Sequence, residues 1–232
     1  MNAFSIVLIL LFISALPILF VYMWFRIRRY PMQFPWFFLA VLCGALSLVI
    51  ALLLQFLVQN LLSFMPESVQ PDIGGFALAL LRNFIRIPLT EEAGRLIALI
   101  LFFRLAVRAG LGPERLTPAF CTASGLLAGL SFAMLEGVSY GAADAGIALI
   151  RILSASPLHG ACGARVGLAA MPAGDAHSAV SLFISAVAVH GMYNYLLINP
   201  VIPPFFAVVL AFIFLVSPLT RISQEWRENV LF

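Results

Sequence analysis

There is no lysine anywhere in this chain of 232 residues, and only 10% of its residues are charged. Soluble domains carry about 25% charged residues. So few polar groups cannot cover a water-facing surface of this size, which excludes a soluble globular domain. Net charge is also small, at +3, and it comes from arginines grouped at the ends of apolar runs. That pattern sets membrane topology and excludes a nucleic-acid partner. Cysteine is scarce: Cys43, Cys121 and Cys162 all lie in apolar stretches without CxxC spacing. They read as buried thiols, neither a disulfide framework nor a cysteine metal cluster. No polar segment is long enough for a second domain, and there is no low-complexity tract or clear internal repeat. Residues 1–232 are therefore expected to form a single integral membrane domain.

What the chain does have is apolar length. Hydrophobic residues make up 63% of it, 21 of them phenylalanine, and the mean hydropathy is +1.08. Lipid offers a backbone no hydrogen bonds, so spanning segments must be helices or a closed barrel. The runs here are about 18–25 residues long, which is helix length rather than strand length. The expectation is an all-α, polytopic transmembrane helical bundle of about seven spans. They lie near Phe4–Phe25, Trp36–Leu62, Leu89–Val107, Thr117–Tyr140, Gly146–Met171, Ser178–Leu197 and Val201–Leu219. The first lacks a basic leader and an A-x-A site, so it reads as a retained span and not a signal peptide. The short piece Phe76–Ile87 is interfacial, re-entrant or the beginning of the third span.

Arg26, Arg28 and Arg29 follow the first span, Arg104, Arg108 and Arg115 surround the end of the third, and Arg221 and Arg227 follow the seventh. Alternate loops carry Glu67, Asp72 and Asp144 instead. The positive-inside rule then predicts a multi-pass protein of the cell membrane with its N-terminus outside and its C-terminus cytoplasmic. In the fourth span, Cys121, Gly125, Gly129, Ala133, Gly137 and Gly141 recur every four residues. Such a ridge of small side chains predicts close approach of a neighbouring helix.

An ionisable side chain inside a span costs at least a few kcal/mol and so points to function. Four spans carry such groups: Glu91, Glu92 and Arg95; Glu136; Arg151 and His159; His190 with Asn194. With so few charges elsewhere in the apolar runs, these groups are expected to meet. Glu91 and Arg95 share a helix face, which allows an ion pair, and Glu92, about 100° around, can point at another target. Phe132 lies one turn from Glu136, an apolar neighbour suited to a general acid or base. His190 and Asn194 share a face and suit the stabilisation of an oxyanion. Each group alone also admits a structural role: Thr90 with Glu91 and Glu92 can simply begin a helix, and one histidine can be a hydrogen-bonded core residue. His177, in a polar loop, is given no role.

The motifs EExxR at Glu91–Arg95, FAxxE at Phe132–Glu136, SPLH ending at His159 and HxxxN at His190–Asn194 fall in the order seen in PrsW-type intramembrane proteases. The chain resembles that family, grouped with the CAAX prenyl protease and bacteriocin-processing clan, over about Thr90–Asn194. The resemblance implies an intramembrane endopeptidase that cuts a membrane protein by water activated on a glutamate. It implies Glu91 or Glu92 as general base, Arg95 as its orienting partner, and His159 and His190 holding water or polarising the carbonyl. Asn194 would complete the oxyanion site, and Glu136 stands where the prenyl proteases have a histidine. A metal-free glutamate mechanism is favoured, so no cofactor is expected. Zinc is the alternative, with Glu92, Glu136, His159 and His190 as candidate ligands. The resemblance further implies a single-span membrane protein substrate, such as an anti-sigma factor, and the lipid bilayer as surroundings. With the N-terminus outside, the depth of the ionisable groups along their spans puts the expected site in the extracytoplasmic half, which suits a site-1-type cut. The competing reading is a transporter or ion-binding membrane protein with a buried Glu/His relay. It predicts paired inverted repeats, which the sequence does not display.

Overall fold

A computed structural model of the chain describes residues 3–63, 86–141, 145–172 and 174–230. Among these residues there are seven α-helices and no strand: α1 Ala3–Ile27, α2 Phe34–Ser63, α3 Ile87–Arg108, α4 Pro118–Gly141, α5 Ala145–Ala169, α6 Ala176–Ile198 and α7 Phe205–Val230. A single 3-10 turn, Pro113–Arg115, precedes α4. The all-α polytopic bundle expected from the apolar runs is what the chain forms. Five helices, α1, α2, α4, α6 and α7, are long and apolar enough to cross a membrane. In α3 the apolar run is interrupted by Glu91, Glu92, Arg95 and Arg104. Nearly all of Phe76–Ile87, with Glu67, Asp72 and Asp144, lies outside the described residues; only Arg86 and Ile87 are seen, leading into α3.

The pattern of exposure is that of a membrane protein. Phe12, Phe20 and Phe56 stand about two-thirds exposed on the outer surface, whereas Glu92 and Arg95 are fully buried. An apolar exterior is stable only against lipid, and buried charge is stable only when paired. Cys43, Cys121 and Cys162 are free and buried, as their apolar surroundings predict.

Small residues fix the packing. A side chain at Gly125 would strike the backbone of Gly163 and Gly167, and one at Gly129 would strike the carbonyl of His159. The α4 ridge thus presses backbone to backbone on α5, the close approach the four-residue spacing predicts. Gly137, further along, faces Ser14 of α1 instead. On α3, Gly94 lies against Ser47 and Ala51 of α2. That contact sets the register of this antiparallel pair and carries Gln55 to Glu91 and Gln59 to Arg86.

Local signals explain the helix ends. Asp175 caps α6 by accepting from the Ser178 amide at 2.8 Å. That bond favours the ionised form and holds the Asp175 carboxyl below its usual range. The last helix starts later than the hydropathy suggests, at Phe205 rather than Val201, because Pro203 and Pro204 immediately before it have no N–H and favour a helix beginning. It also runs on past Leu219 through a polar segment, where Glu225 accepts from the Ala119 amide at 2.8 Å and so caps α4.

Candidate active site

Five of the helices contribute to one polar cluster. Glu91, Glu92 and Arg95 come from the first turns of α3, Glu136 from late α4, Arg151 and His159 from α5, and His190 from α6. Gln55 is added by α2. The cluster sits in the half of the bundle away from the arginine-rich ends of α1 and α3.

Its wiring is not the Glu91–Arg95 pair that the four-residue spacing allows. Arg95 pairs with Glu92, not with Glu91. Its second nitrogen, Nη2, lies 3.2 Å from His159 Nδ1, and its guanidinium is stacked over the Phe132 ring at 4.8 Å. Arg95 points into the bundle because three groups there satisfy it: a carboxylate, an imidazole and an aromatic face. Glu92 is then fully engaged, with Oε2 on Arg95 and Oε1 2.8 Å from His190 Nδ1. Glu91 is the opposite case. Its Oε1 accepts a long contact from Gln55 Nε2 at 3.5 Å. Its Oε2 is buried without a hydrogen-bond partner among the described residues, 3.7 Å from His190 Nε2.

A second arm begins at His159. Its Nε2 is 2.9 Å from Glu136 Oε2, and Arg151 Nη2 is 2.6 Å from the same oxygen. The His159 ring lies against Phe132 at 5.0 Å and meets His190 edge to face at 4.9 Å. Phe132 therefore packs on the histidine and on Arg95. Beside this arm the Tyr193 hydroxyl donates to Ser154 Oγ at 2.8 Å, tying α6 to α5.

The donor chemistry assigns the protons. A guanidinium cannot accept, so His159 Nδ1 must be the acceptor and its Nε2 carries the proton that goes to Glu136. Glu92, ionised beside Arg95, accepts from His190 Nδ1, which turns His190 Nε2 towards Glu91.

The expectation for Asn194 and His190 as a joint pair changes as well. His190 is committed to Glu92, while Asn194 is half-buried one turn on and makes no hydrogen bond among the described residues. Sequence reasoning passed over Gln55 and gave Arg151 no role. The first of three amides in the otherwise apolar α2, and a charge within α5, were the available signals.

The sequence profile described as PrsW family intramembrane metalloprotease matches residues 33–218. The chain belongs to the PrsW family. It is accordingly an intramembrane protease, a multi-pass membrane protein acting on a membrane protein substrate. No curated protein and no solved structure matches the chain.

The family's description raises the question of a metal. Ligand atoms of Glu91, His159 and His190 lie within 4.8 Å of one another. One carboxylate and two imidazoles suit zinc, and Glu92 on the far nitrogen of His190 is the kind of carboxylate that orients metal-binding histidines. The orphaned Glu91 Oε2 is a donor atom in want of a partner. The residues therefore fit a metal in kind and spacing, with Glu91 in place of the expected Glu92 and Glu136. Glu92 has no oxygen to spare, and Glu136 is taken up by His159 and Arg151.

Proposed function

We propose that the protein hydrolyses a peptide bond of a single-span membrane substrate through a water held between Glu91 and His190. The observation that carries this reading is the difference between the two adjacent glutamates. Both oxygens of Glu92 are hydrogen-bonded, whereas Glu91 Oε2 is buried, unpartnered and 3.7 Å from His190 Nε2. That separation is too long for a direct hydrogen bond, and a water admitted as the site opens to substrate would bridge the two. Glu91 is thus the general base and Glu92 the residue that orients His190.

In the reaction the water oxygen attacks the scissile carbonyl carbon while Glu91 Oε2 takes one of its protons. The carbonyl oxygen becomes an oxyanion, and the side-chain amide of Asn194, one turn on from His190, would donate to it. Glu91 then hands the proton to the departing amine nitrogen as the C–N bond breaks. His159, with its Nε2 proton on Glu136, holds that wall of the site in place. A metal held by Glu91, His159 and His190 would supply Lewis-acid polarisation of the carbonyl and a more acidic water. Joining it would require His159 to give up one of its two contacts, with Arg95 or with Glu136.

The proposed side rests on charge and depth, and the single-span substrate on the family resemblance. The arginine-rich loops favour an extracytoplasmic N-terminus, and the cluster lies towards the opposite end of α3, α4 and α6. The cut then falls near the outer boundary of the substrate's span. Such a cut removes an outer segment before a second protease acts, as in site-1 cleavage of an anti-sigma factor.

The test compares Glu91→Gln with Glu92→Gln in purified protein cleaving a single-span reporter. Glu91→Gln lowers turnover roughly 100- to 10,000-fold, the range for loss of a general base, and leaves the thermal midpoint unchanged. Glu92→Gln breaks a buried ion pair and loses about 3–5 kcal/mol of stability as well as activity. Wild-type turnover by Glu91→Gln would remove the assignment. Stoichiometric zinc, with activity lost on chelation and restored by zinc, would replace the metal-free route by the metal-bound one.

A further inference from the structure

Among the described residues Glu91 accepts one hydrogen bond, from Gln55 Nε2 of α2 to its Oε1 at 3.5 Å. We propose that Gln55 is a positioning residue of the protease, holding one oxygen of Glu91 so that the other faces the reacting water. This deepens the reading of Glu91 as general base and rests on it.

Elimination supplies the first argument. A carboxylate that takes a proton in the reaction needs a fixed direction, because transfer requires a short, aligned contact. The last torsion of a glutamate is broad and turns easily unless an oxygen is held. The other donors that could reach Glu91 from α3 and α6 are committed. Arg95 goes to Glu92 and His159. Thr90 turns its hydroxyl back onto the carbonyls of Arg86 and Ile87, at 2.9 and 3.0 Å. His190 gives Nδ1 to Glu92, and its Nε2 stays 3.7 Å from the second oxygen of Glu91. Gln55 is the donor that remains among the described residues. Its amide is neutral, so it directs Glu91 without cancelling the charge, whereas Arg95 cancels that of Glu92.

The helix face supplies the second. Ser47, Ala51, Gln55 and Gln59 follow one another every four residues along α2. The first two lie against Gly94, where a Cβ would come within 2.9 Å of the Ser47 carbonyl oxygen and 2.8 Å of the Ala51 nitrogen. One turn on, Gln55 meets Glu91, and one turn further Gln59 accepts from Arg86. This stripe runs through a lipid-facing helix: Leu52, Leu53, Phe56 and Leu57 stand exposed around Gln55. A half-buried amide in such surroundings is costly. Helix association does not account for that cost, because Gly94 already brings the two backbones together. The contact with Glu91 does account for it.

The experiment uses the full chain in proteoliposomes with the single-span reporter. It compares Gln55→Met, Glu91→Gln and the double variant. Methionine keeps an unbranched chain of similar length and has no donor. The kcat of Gln55→Met falls about ten-fold, the worth of one hydrogen bond to a charged group. KM stays at the wild-type value, and the thermal midpoint is unchanged or raised. In the Glu91→Gln background the second substitution costs nothing further, because the group that Gln55 positions has gone. Gln59→Met removes an amide of the same face that pairs with Arg86 instead, and it keeps wild-type turnover. Wild-type kcat in Gln55→Met overturns the proposal. So does a loss carried by KM, which would make Gln55 a substrate contact, and so does an equal loss in Gln59→Met. The same loss repeated in the Glu91→Gln background also overturns it, because Gln55 would then act elsewhere. Each of these results leaves the base assignment standing while Glu91→Gln is inactive. Wild-type turnover by Glu91→Gln instead removes the base, and the positioning role with it.

Discussion

Arg95 Nη2 lies 3.2 Å from His159 Nδ1, and this contact fixes which nitrogen of His159 carries its proton. The arginine can only donate, so the imidazole must accept at Nδ1 and present an N–H at Nε2 to Glu136. The same guanidinium neutralises Glu92. One side chain thereby organises both arms of the site.

That double duty predicts the behaviour of Arg95→Lys. A lysine reaches Glu92 as a point charge but has no planar second donor for His159. Turnover is expected to fall about ten- to a hundred-fold, the value of one hydrogen bond to a charged group. KM for the single-span reporter changes little, because Arg95 is fully buried and does not touch substrate. Steady-state kinetics on reconstituted protein check this. A parallel loss in KM alone would mean that Arg95 acts on substrate binding.

Arg165 answers a different structural need. Pro218, inside α7, has no N–H to offer the Phe214 carbonyl four residues back. Arg165 of α5 fills that gap with a 3.0 Å hydrogen bond to the same carbonyl and lies over the Phe214 ring. Arg165→Leu is expected to lose about 1–3 kcal/mol, the cost of a buried unsatisfied acceptor. Pro218→Ala restores the intrahelical donor, so the double variant should recover part of that loss. Thermal unfolding of the four proteins in one detergent gives the coupling, and strict additivity would rule the arrangement out.

Orientation in the membrane is open to chemical labelling. Single cysteines in place of Leu89, Val138 and Tyr195, in a background without Cys43, Cys121 and Cys162, all fall in the half of the bundle that holds Glu91 and Glu136. An impermeant thiol reagent added to intact cells is expected to modify them. Modification only after permeabilisation would invert the topology and move the cut to the inner boundary.

Much of this architecture was legible in the sequence, since lipid allows few solutions. Runs of helix length gave seven helices with ends within a few residues for six of them, and the four-residue ridge gave the α4–α5 contact. The seventh strayed because hydropathy stops where the apolar run stops, whereas α7 continues in a polar stretch held by Glu225. The site residues were legible as intramembrane charge, and their convergence followed from its cost. Their pairing was not. Glu91 and Glu92 each stand at a spacing from Arg95 that allows an ion pair, and only the position of α5 and α6 decides between them. Gln55 escaped notice because its role depends on the register that Gly94 sets between α2 and α3, a contact between segments remote in sequence.

The backbone contact between α4 and α5 has a kinematic consequence. With Gly125 against Gly163 and Gly129 against the His159 carbonyl, these two helices have no side-chain layer in which to slide. Glu136 and His159 ride on them and must travel as one body. A seam wide enough to admit a peptide from the bilayer has to part elsewhere, along helices separated by ordinary side chains. Whatever motion delivers the scissile bond, the half of the site built on α4 and α5 arrives already assembled, and it is the neighbouring helices that must come to it.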